Sequence, residues 1–283
     1  MKNIIVCAKQ VPNTSNVRLD PKHHTLIREG IDNILNPHDE TAVGAALDCK
    51  KRYGLKVGVA TMGPPQAKEV LIECLKMGVD EAFLLTDERL AGSDTLATSM
   101  ALSSLIRKVG YENVFCGQES IDSSTGHIGP SIAEFLDLPQ VTHADKIIEI
   151  NDDIIQIRVD RGTVYEILEV KLPVAVTFNK SAKKIEHKIK EVDDKKITKY
   201  SLDDLSLKKS KVGIEGSPTW VVDVDIDESV LNFLRVDSNL SAEERMRLIF
   251  TGGIEEKEDR TILKGSSKKV VDNLIQTIRS FSK

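Results

Sequence analysis

No apolar run in this 283-residue chain reaches the roughly 20 positions that a membrane-crossing helix needs. Basic charge is not in excess either. Lys and Arg number 39 against 44 Asp and Glu, for a formal charge of −5, so neither nucleic acid nor an anionic membrane surface is expected as partner. Cysteine is scarce: Cys7, Cys49, Cys74 and Cys116 stand singly, with no CxxC pair. That argues against a disulfide framework and a thiolate metal site, and points to reduced core thiols in a cytoplasmic protein. No GxGxxG follows the first apolar segment and no GxxxxGK[ST] occurs anywhere, so the ordinary dinucleotide fingerprint and the P-loop are both missing. No Ser-His-Asp or paired-carboxylate pattern is legible, which removes any case for hydrolysis. The opening MKNIIVCAKQVP turns polar at Lys9, too early for a signal-peptide core, and reads as a first strand. His23 and His24 lie in a polar turn and are expected to face solvent, not a metal.

Strand and helix signals alternate through the first half. Asn3 to Ala8 is an apolar strand, and Asp39 in Asn36-Pro37-His38-Asp39 is placed to cap a helix carrying Val43, Ala46 and Leu47. Residues 56–61 form a second strand and Met62-Gly63-Pro64-Pro65 a turn. The helix beyond turns Ala67, Leu71, Cys74 and Leu75 inward and stops at Gly78. Strand 81–85 follows. Gly92-Ser93-Asp94-Thr95 then opens a helix with Leu102, Leu105, Ile106 and Val109 on one face, closed by Gly110. This βαβαβαβα spacing predicts a doubly wound, mostly parallel sheet of Rossmann-like type. Right-handed crossovers gather the strand-to-helix loops at one sheet edge, where ligands bind.

The most informative loop runs from Val114 to Leu136. A short strand ends at Gly117, a polar loop carries Asp122, Ser123, Ser124 and Thr125, and a helix with Ile128, Ile132 and Phe135 on one face follows. Unpaired N–H groups and the dipole at a helix start make an anion cradle there, although the same hydroxyls would also suit simple helix capping.

Past Pro139 the style changes. Segments 141–150, 154–159, 163–170 and 174–178 are β-branched and alternating, with Asn151-Asp152-Asp153 as a hairpin turn. Residues 180–211 hold 11 Lys against 6 acidic residues and read as a solvated, weakly structured arm. A final amphipathic helix is expected over 268–281, with Val271, Leu274, Ile275 and Ile278 on one face. The expected organisation is an α/β domain over 1–185 with an antiparallel β extension, then an extended C-terminal arm over 186–283 that packs on another chain.

The pieces CAKQVPNT, NPHDETAVGAAL, ATMGPPQA, GSDTLATSMAL, GQESIDSSTGHIGPSIAEFLDLPQVT, VKLPVAVTFNKSAKKIE, GIEGSPT and ILKGSSKKVVDNLI occur in order. On these the chain resembles the β subunit of electron-transfer flavoproteins over nearly its whole length. The resemblance implies a heterodimer with an α subunit that carries the electron-carrying flavin, and an adenine nucleotide held by the β subunit. By motif position the nucleotide residues are Cys7, Lys9, Asn36, Pro37, His38, Asp39, Met62 and Gly63. They continue through Gly117, Gln118, Glu119, Ser120, Ile121, Asp122, Ser123, Ser124, Thr125, Gly126, His127 and Ile128. Asp94, Thr95 and Thr98 look like the electron-bifurcating branch, in which the nucleotide is a second FAD that accepts hydride from NADH. One electron then goes to a dehydrogenase and the other to ferredoxin or flavodoxin. Ser123-Ser124 departs from the Gly-Asp pair usual in that branch. The housekeeping branch holds AMP instead. Leu172, before Pro173, corresponds to a recognition leucine entering a pocket on a partner dehydrogenase; the other reading of Leu172 is an interior strand residue. A universal-stress-type nucleotide sensor is the alternative of another class, but residues 117–125 carry one glycine where such a sensor needs a glycine-rich phosphate loop.

Overall fold

Residues Ile4–Cys7 form strand β1, and all four side chains are buried. Successive side chains of a strand point to opposite faces. Ile4 and Val6 therefore enter one apolar cluster while Ile5 and Cys7 enter another. A strand buried on both faces belongs in the middle of a parallel sheet covered by helices on each side. The computed structural model places it there and describes residues 3–13, 18–19, 26–27, 32–180, 196–219 and 271. The chain divides into two units, Met1–Asp223 and Val224–Lys283. Apart from Val271, the second unit lies outside the described residues, as do His23 and His24.

In chain order the strands are β1, β2 (Gln10–Pro12), β3 (Arg18–Leu19), β4 (Leu26–Ile27), β5 (Asn33–Leu35), β6 (Val57–Met62), β7 (Glu81–Leu85) and β8 (Asn113–Gly117). They continue with β9 (Gln140–Ile150), β10 (Ile154–Asp160), β11 (Tyr165–Lys171), β12 (Ala175–Phe178) and β13 (Ile197–Tyr200). The main sheet has nine strands in the order β11-β10-β9-β12-β8-β1-β6-β7-β13. From β9 to β13 every neighbouring pair is parallel, whereas β10 and β11 add an antiparallel extension. Helices α1 (Pro37–Tyr53) and α2 (Lys68–Met77) cover one face with Val43, Leu47, Val70 and Leu71. Helices α3 (Thr95–Val109) and α4 (Ile128–Leu136) cover the other with Leu102, Leu105, Ile106 and Ile132. The doubly wound α/β class read from the sequence is the fold observed.

The strand order reverses at β1. The chain runs out from β1 through β6 to β7 on one side, then returns across the sheet to β8 on the other. That switch point, at the carboxyl ends of β1 and β8, is where an open α/β sheet has its crevice. The four cysteines are free and buried, as expected of core thiols. Among the described residues no helix is long and apolar enough to cross a membrane.

Several local expectations are corrected. Asn36, not Asp39, is the N-cap residue of α1; Pro37 takes the first helical position, so Asp39 falls inside the first turn, with its side chain turned to other loops. Phe135 is only partly covered, and the stripe on α4 is instead Ile132 and Ala133, with Ile128 and Leu136 beside them. Within the lysine-rich stretch, residues 197–200 are not a solvated arm: they add β13 in parallel to β7. Ile197 and Tyr200 pack on the two apolar clusters, and Leu202, Leu205 and Val212 are buried. Lysines between these positions hid an apolar spacing sufficient for an edge strand, and edge strands commonly carry such charges. The first unit accordingly extends past the boundary expected at residue 185. Residues 181–195 and the expected last helix, save Val271, lie outside the described residues.

Candidate nucleotide site at the strand-order switch

The loops after β1 and β8 meet through Asp39. Its carboxylate accepts the Lys9 N–H at Oδ2 (2.8 Å) and the Gly117 N–H at Oδ1 (3.0 Å). One buried side chain on the first turn of α1 thus ties together the ends of the two strands that flank the switch point. Burial pushes the Asp39 carboxyl up to about 7, and the hydrogen bonds from Lys9, Asn36 and Gly117, with the Lys9 charge, oppose that rise. Gly117 must be glycine at this contact. A Cβ there would lie against Asp39 Oδ1 and come within 2.7 Å of the Asp39 N and the His38 carbonyl carbon.

Asn36 makes a second clamp. Its N–H donates to Lys9 O (3.0 Å), its amide Nδ2 donates to Glu119 O (2.8 Å), and its Oδ1 accepts from Ile121 N–H (3.3 Å). Lys9 supplies a third, with Nζ at 2.6 Å from Asp122 Oδ1, 3.1 Å from Ser120 Oγ and 3.4 Å from Ser123 Oγ. The Asp122 side chain is only 6% exposed, and burial is outweighed by the Lys9 and Ser120 bonds, which hold its carboxyl below the usual range. Gln118 is fixed from the other side: its N–H donates to Phe178 O (2.8 Å), and its Oε1 accepts from Thr177 Oγ1 (2.7 Å) and His143 N–H (3.1 Å). Thr177 and His143 were missed by sequence reasoning. The one available signal was a threonine inside the otherwise apolar run Ala175–Phe178.

The loop then turns sharply. Ser124 at φ 46° and Gly126 at φ 66° adopt left-handed backbone, and Ser124 N–H donates to Ser120 O (2.8 Å). No hydroxyl of Ser123, Ser124 or Thr125 caps α4. The helix begins at Ile128 behind His127, with no side-chain cap. The capping reading of this loop is therefore not what the fold shows. Pro130 in the first turn has no N–H, so the N–H groups of Ile128 and Gly129 are the open donors of this helix start. Thr125 and His127 are exposed beside them.

The remaining expected residues fall in different places. Cys7 ends β1, buried opposite Cys116 of β8. Pro37 opens α1. Within α1, burial holds the His38 imidazole below its ordinary value against the pull of Glu119. Met62 packs on the second apolar cluster, and Gly63 N–H donates to Leu85 O (3.0 Å). Asp94 caps its own helix: Oδ1 accepts Ala97 N–H (3.0 Å), while Oδ2 accepts Thr219 N–H (3.1 Å) and Thr219 Oγ1 (2.8 Å). Thr98 N–H donates to Asp94 O (2.9 Å), and Thr95 is half-buried. The start of α3 is thus filled by the chain's own carboxylate, which would repel a phosphate, whereas the start of α4 is open.

Leu172 lies half-buried, packed against the first apolar cluster, with its N–H on Asp153 O (2.8 Å). It stands in the bend just after β11, neither inside a strand nor fully exposed. Leu172→Ala is expected to cost about 1–2 kcal/mol, below the 2–5 kcal/mol typical of full burial. Thermal melting beside electron-transfer assays with a dehydrogenase checks this: a lower melting temperature with coupling retained is the expected pair of results.

Comparison with known proteins identifies the family. The family model of the electron transfer flavoprotein domain matches residues 24–205. The electron transfer flavoprotein subunit beta of Clostridium acetobutylicum is 46% identical over 223 residues, 77% of this chain and 86% of that protein. That of Thermoanaerobacterium thermosaccharolyticum is 41% identical over 276 residues, 95% of this chain and the whole of the other. The Caffeyl-CoA reductase-Etf complex subunit CarD of Acetobacterium woodii is 43% identical over 225 residues, 77% of this chain and 85% of its own length. With a family match over most of the chain and relatives well above 30% identity, the chain belongs to the electron transfer flavoprotein family, as a β subunit.

Proposed function

We propose that this β subunit holds FAD in the crevice at β1 and β8 and serves flavin-based electron bifurcation. Electrons from NADH would pass through the α subunit's flavin to a flavin-containing dehydrogenase and to ferredoxin or flavodoxin. The observation that carries the nucleotide assignment is the uncapped start of α4 at the switch point, presented by a loop that Asp39, Asn36 and Lys9 hold rigidly. Lys9 and Asp122 neutralise one another, so attraction for a phosphate rests on the N–H groups of Ile128 and Gly129 and on the helix dipole. Such a terminus is worth on the order of 0.3–1 kcal/mol toward an anion, and up to ~2 when partly buried. Gly126, Thr125 and Ser123 would line the path of the phosphates, and the exposed Ile121 would offer apolar surface to the base. When bound, FAD supplies both two-electron exchange with a nicotinamide and one-electron exchange with another carrier. The similarity to a subunit of a caffeyl-CoA reductase-Etf complex supports a dedicated acyl-CoA-type dehydrogenase as partner.

AMP is the second reading, and one observation favours it. Asp94 fills the start of α3, so of the starts of α3 and α4 only that of α4 is open, enough for one phosphate. Denaturing the purified αβ heterodimer and counting released nucleotides by chromatography decides between the two. Two FAD per heterodimer is the expected result. One FAD with one AMP assigns the crevice to AMP and removes the bifurcating role. The arm expected to pack on the α subunit lies, beyond Thr219 and save Val271, outside the described residues.

A further inference from the structure

Gln118, the first residue after β8, has its side-chain amide held in one orientation. Its Oε1 accepts from two donors on neighbouring strands, the Thr177 hydroxyl of β12 (2.7 Å) and the His143 N–H of β9 (3.1 Å). A backbone N–H can only donate, so the amide oxygen must face His143 and the amide nitrogen must face away. Thr177 is buried, and His143 takes left-handed backbone, φ 61°, where its N–H meets Gln118. Among the described residues Nε2 donates to no acceptor.

That nitrogen faces the turn that leads into α4. A Cβ at Gly126 would stand 4.0 Å from Nε2 and 3.6 Å from Gln118 O, so a side chain there would lie against the amide. Glycine, favoured by the φ of 66°, leaves the space in front of Nε2 open. Thr177 also reaches the helix. A Cβ at Gly129 would lie 2.3 Å from Thr177 Cγ2, so that methyl is seated directly on the first turn of α4. One threonine of β12 therefore braces both the open helix start, with the N–H groups of Ile128 and Gly129, and the amide beside it.

We propose that Gln118 Nε2 donates to a phosphate oxygen of the crevice nucleotide, and that Thr177 is the positioning residue that aims it. This rests on the reading of the crevice as a nucleotide site and holds for FAD and AMP alike, since each carries a phosphate. Lys9 is already paired with Asp122. Gln118 thus adds a side-chain donor to the backbone N–H groups of α4 without bringing a charge into the crevice.

The test is calorimetric binding of AMP and of adenosine to the αβ heterodimer cleared of nucleotide. The α subunit is the same throughout, so differences between variants belong to this chain. The parent is expected to bind AMP more tightly than adenosine. Gln118→Glu keeps an acceptor oxygen for Thr177 and His143 but replaces the donor by a negative charge. It is expected to melt as the parent does and to bind AMP on the order of tenfold more weakly or worse, with adenosine unchanged. Thr177→Val keeps a methyl on Gly129 and removes only the hydroxyl. A loss of about three- to tenfold for AMP is expected, with no further loss when it is combined with Gln118→Ala. A threonine that only packed would lower binding equally in both backgrounds. Parent-like AMP binding in Gln118→Glu overturns the proposal, as does an equal loss of AMP and adenosine. A Thr177→Val loss undiminished in the Gln118→Ala background overturns the positioning role. If the parent binds adenosine as tightly as AMP, the crevice holds no phosphate; the nucleotide reading then fails and the Gln118 assignment falls with it.

Discussion

Replacing Asp39 by Ala is expected to lower stability by about 2–5 kcal/mol and to release the nucleotide from the heterodimer. The carboxylate is the acceptor for the N–H groups of Lys9 and Gly117, and it is buried. Each donor left unsatisfied costs roughly 1–3 kcal/mol. The effect reaches the nucleotide because those two N–H groups belong to the loops that form the crevice. Chemical denaturation and released-nucleotide assays on Asp39→Ala check both parts. Asp39→Asn keeps the size and one acceptor oxygen, so its loss should be smaller. A variant that keeps parent stability would show that Asp39 is not the strut between β1 and β8.

The same residue gives a pH dependence with a defined sign. Its folded pKa is raised from 3.8 to about 7, chiefly by burial. Between these values the folded chain holds a proton that the unfolded chain has lost. The contribution of Asp39 to stability is therefore fully present below about pH 4, falls as pH rises toward 7, and is level above that. The slope is at most about 1.4 kcal/mol per pH unit. Denaturation midpoints from pH 4.5 to 7.5 should show this fall in the parent, and a flatter line in Asp39→Asn.

Gly117→Ala is the second large effect. The added methyl would press on Asp39 Oδ1 and sit 2.7 Å from backbone atoms of His38 and Asp39. Overpacking typically costs about 1–3 kcal/mol, and more where backbone cannot yield. Here the backbone is the first turn of α1, so the methyl must also break the Gly117–Asp39 bond. Loss of about 3 kcal/mol or more is expected, with nucleotide lost in parallel. Gly110→Ala is the control, since that glycine is also a loop position and a Cβ there meets nothing within 4 Å. Its left-handed φ of 76° still carries a modest strain. If both variants melt alike, the Gly117 contact is not what the crevice depends on.

Much of this was legible from local pattern. The β1, β6, β7 and β8 segments are short apolar runs bounded by glycine or polar turns, and such runs specify buried parallel strands wherever they are placed. Gly54, Gly78 and Gly110 end α1, α2 and α3 in left-handed backbone, a role that a glycine after an apolar-periodic segment announces. The crevice loops could be named because every strand-to-helix loop of such a sheet falls at one edge.

What could not be read was which partner each polar group takes. Asp39 looked like a helix cap and is a strut between strands; Asp94 looked like a phosphate residue and holds Thr219, 125 positions away. Ser123–Thr125 suited a helix cap as well as an anion cradle, and α4 starts uncapped. Hydrogen bonds of this kind depend on distances between loops that are remote in sequence, and a small polar residue is locally suited to several of them. Strand β13 was hidden for a related reason: its pairing with β7 comes from the sheet edge available to it, not from its own lysine-rich composition. The sequence by itself determined the doubly wound sheet, the family and the set of loops at its edge, because periodicity and turn chemistry are local. Only the tertiary structure decided that the start of α4 is open and the start of α3 is closed. That choice rests on which buried donors and acceptors meet once the loops are packed together.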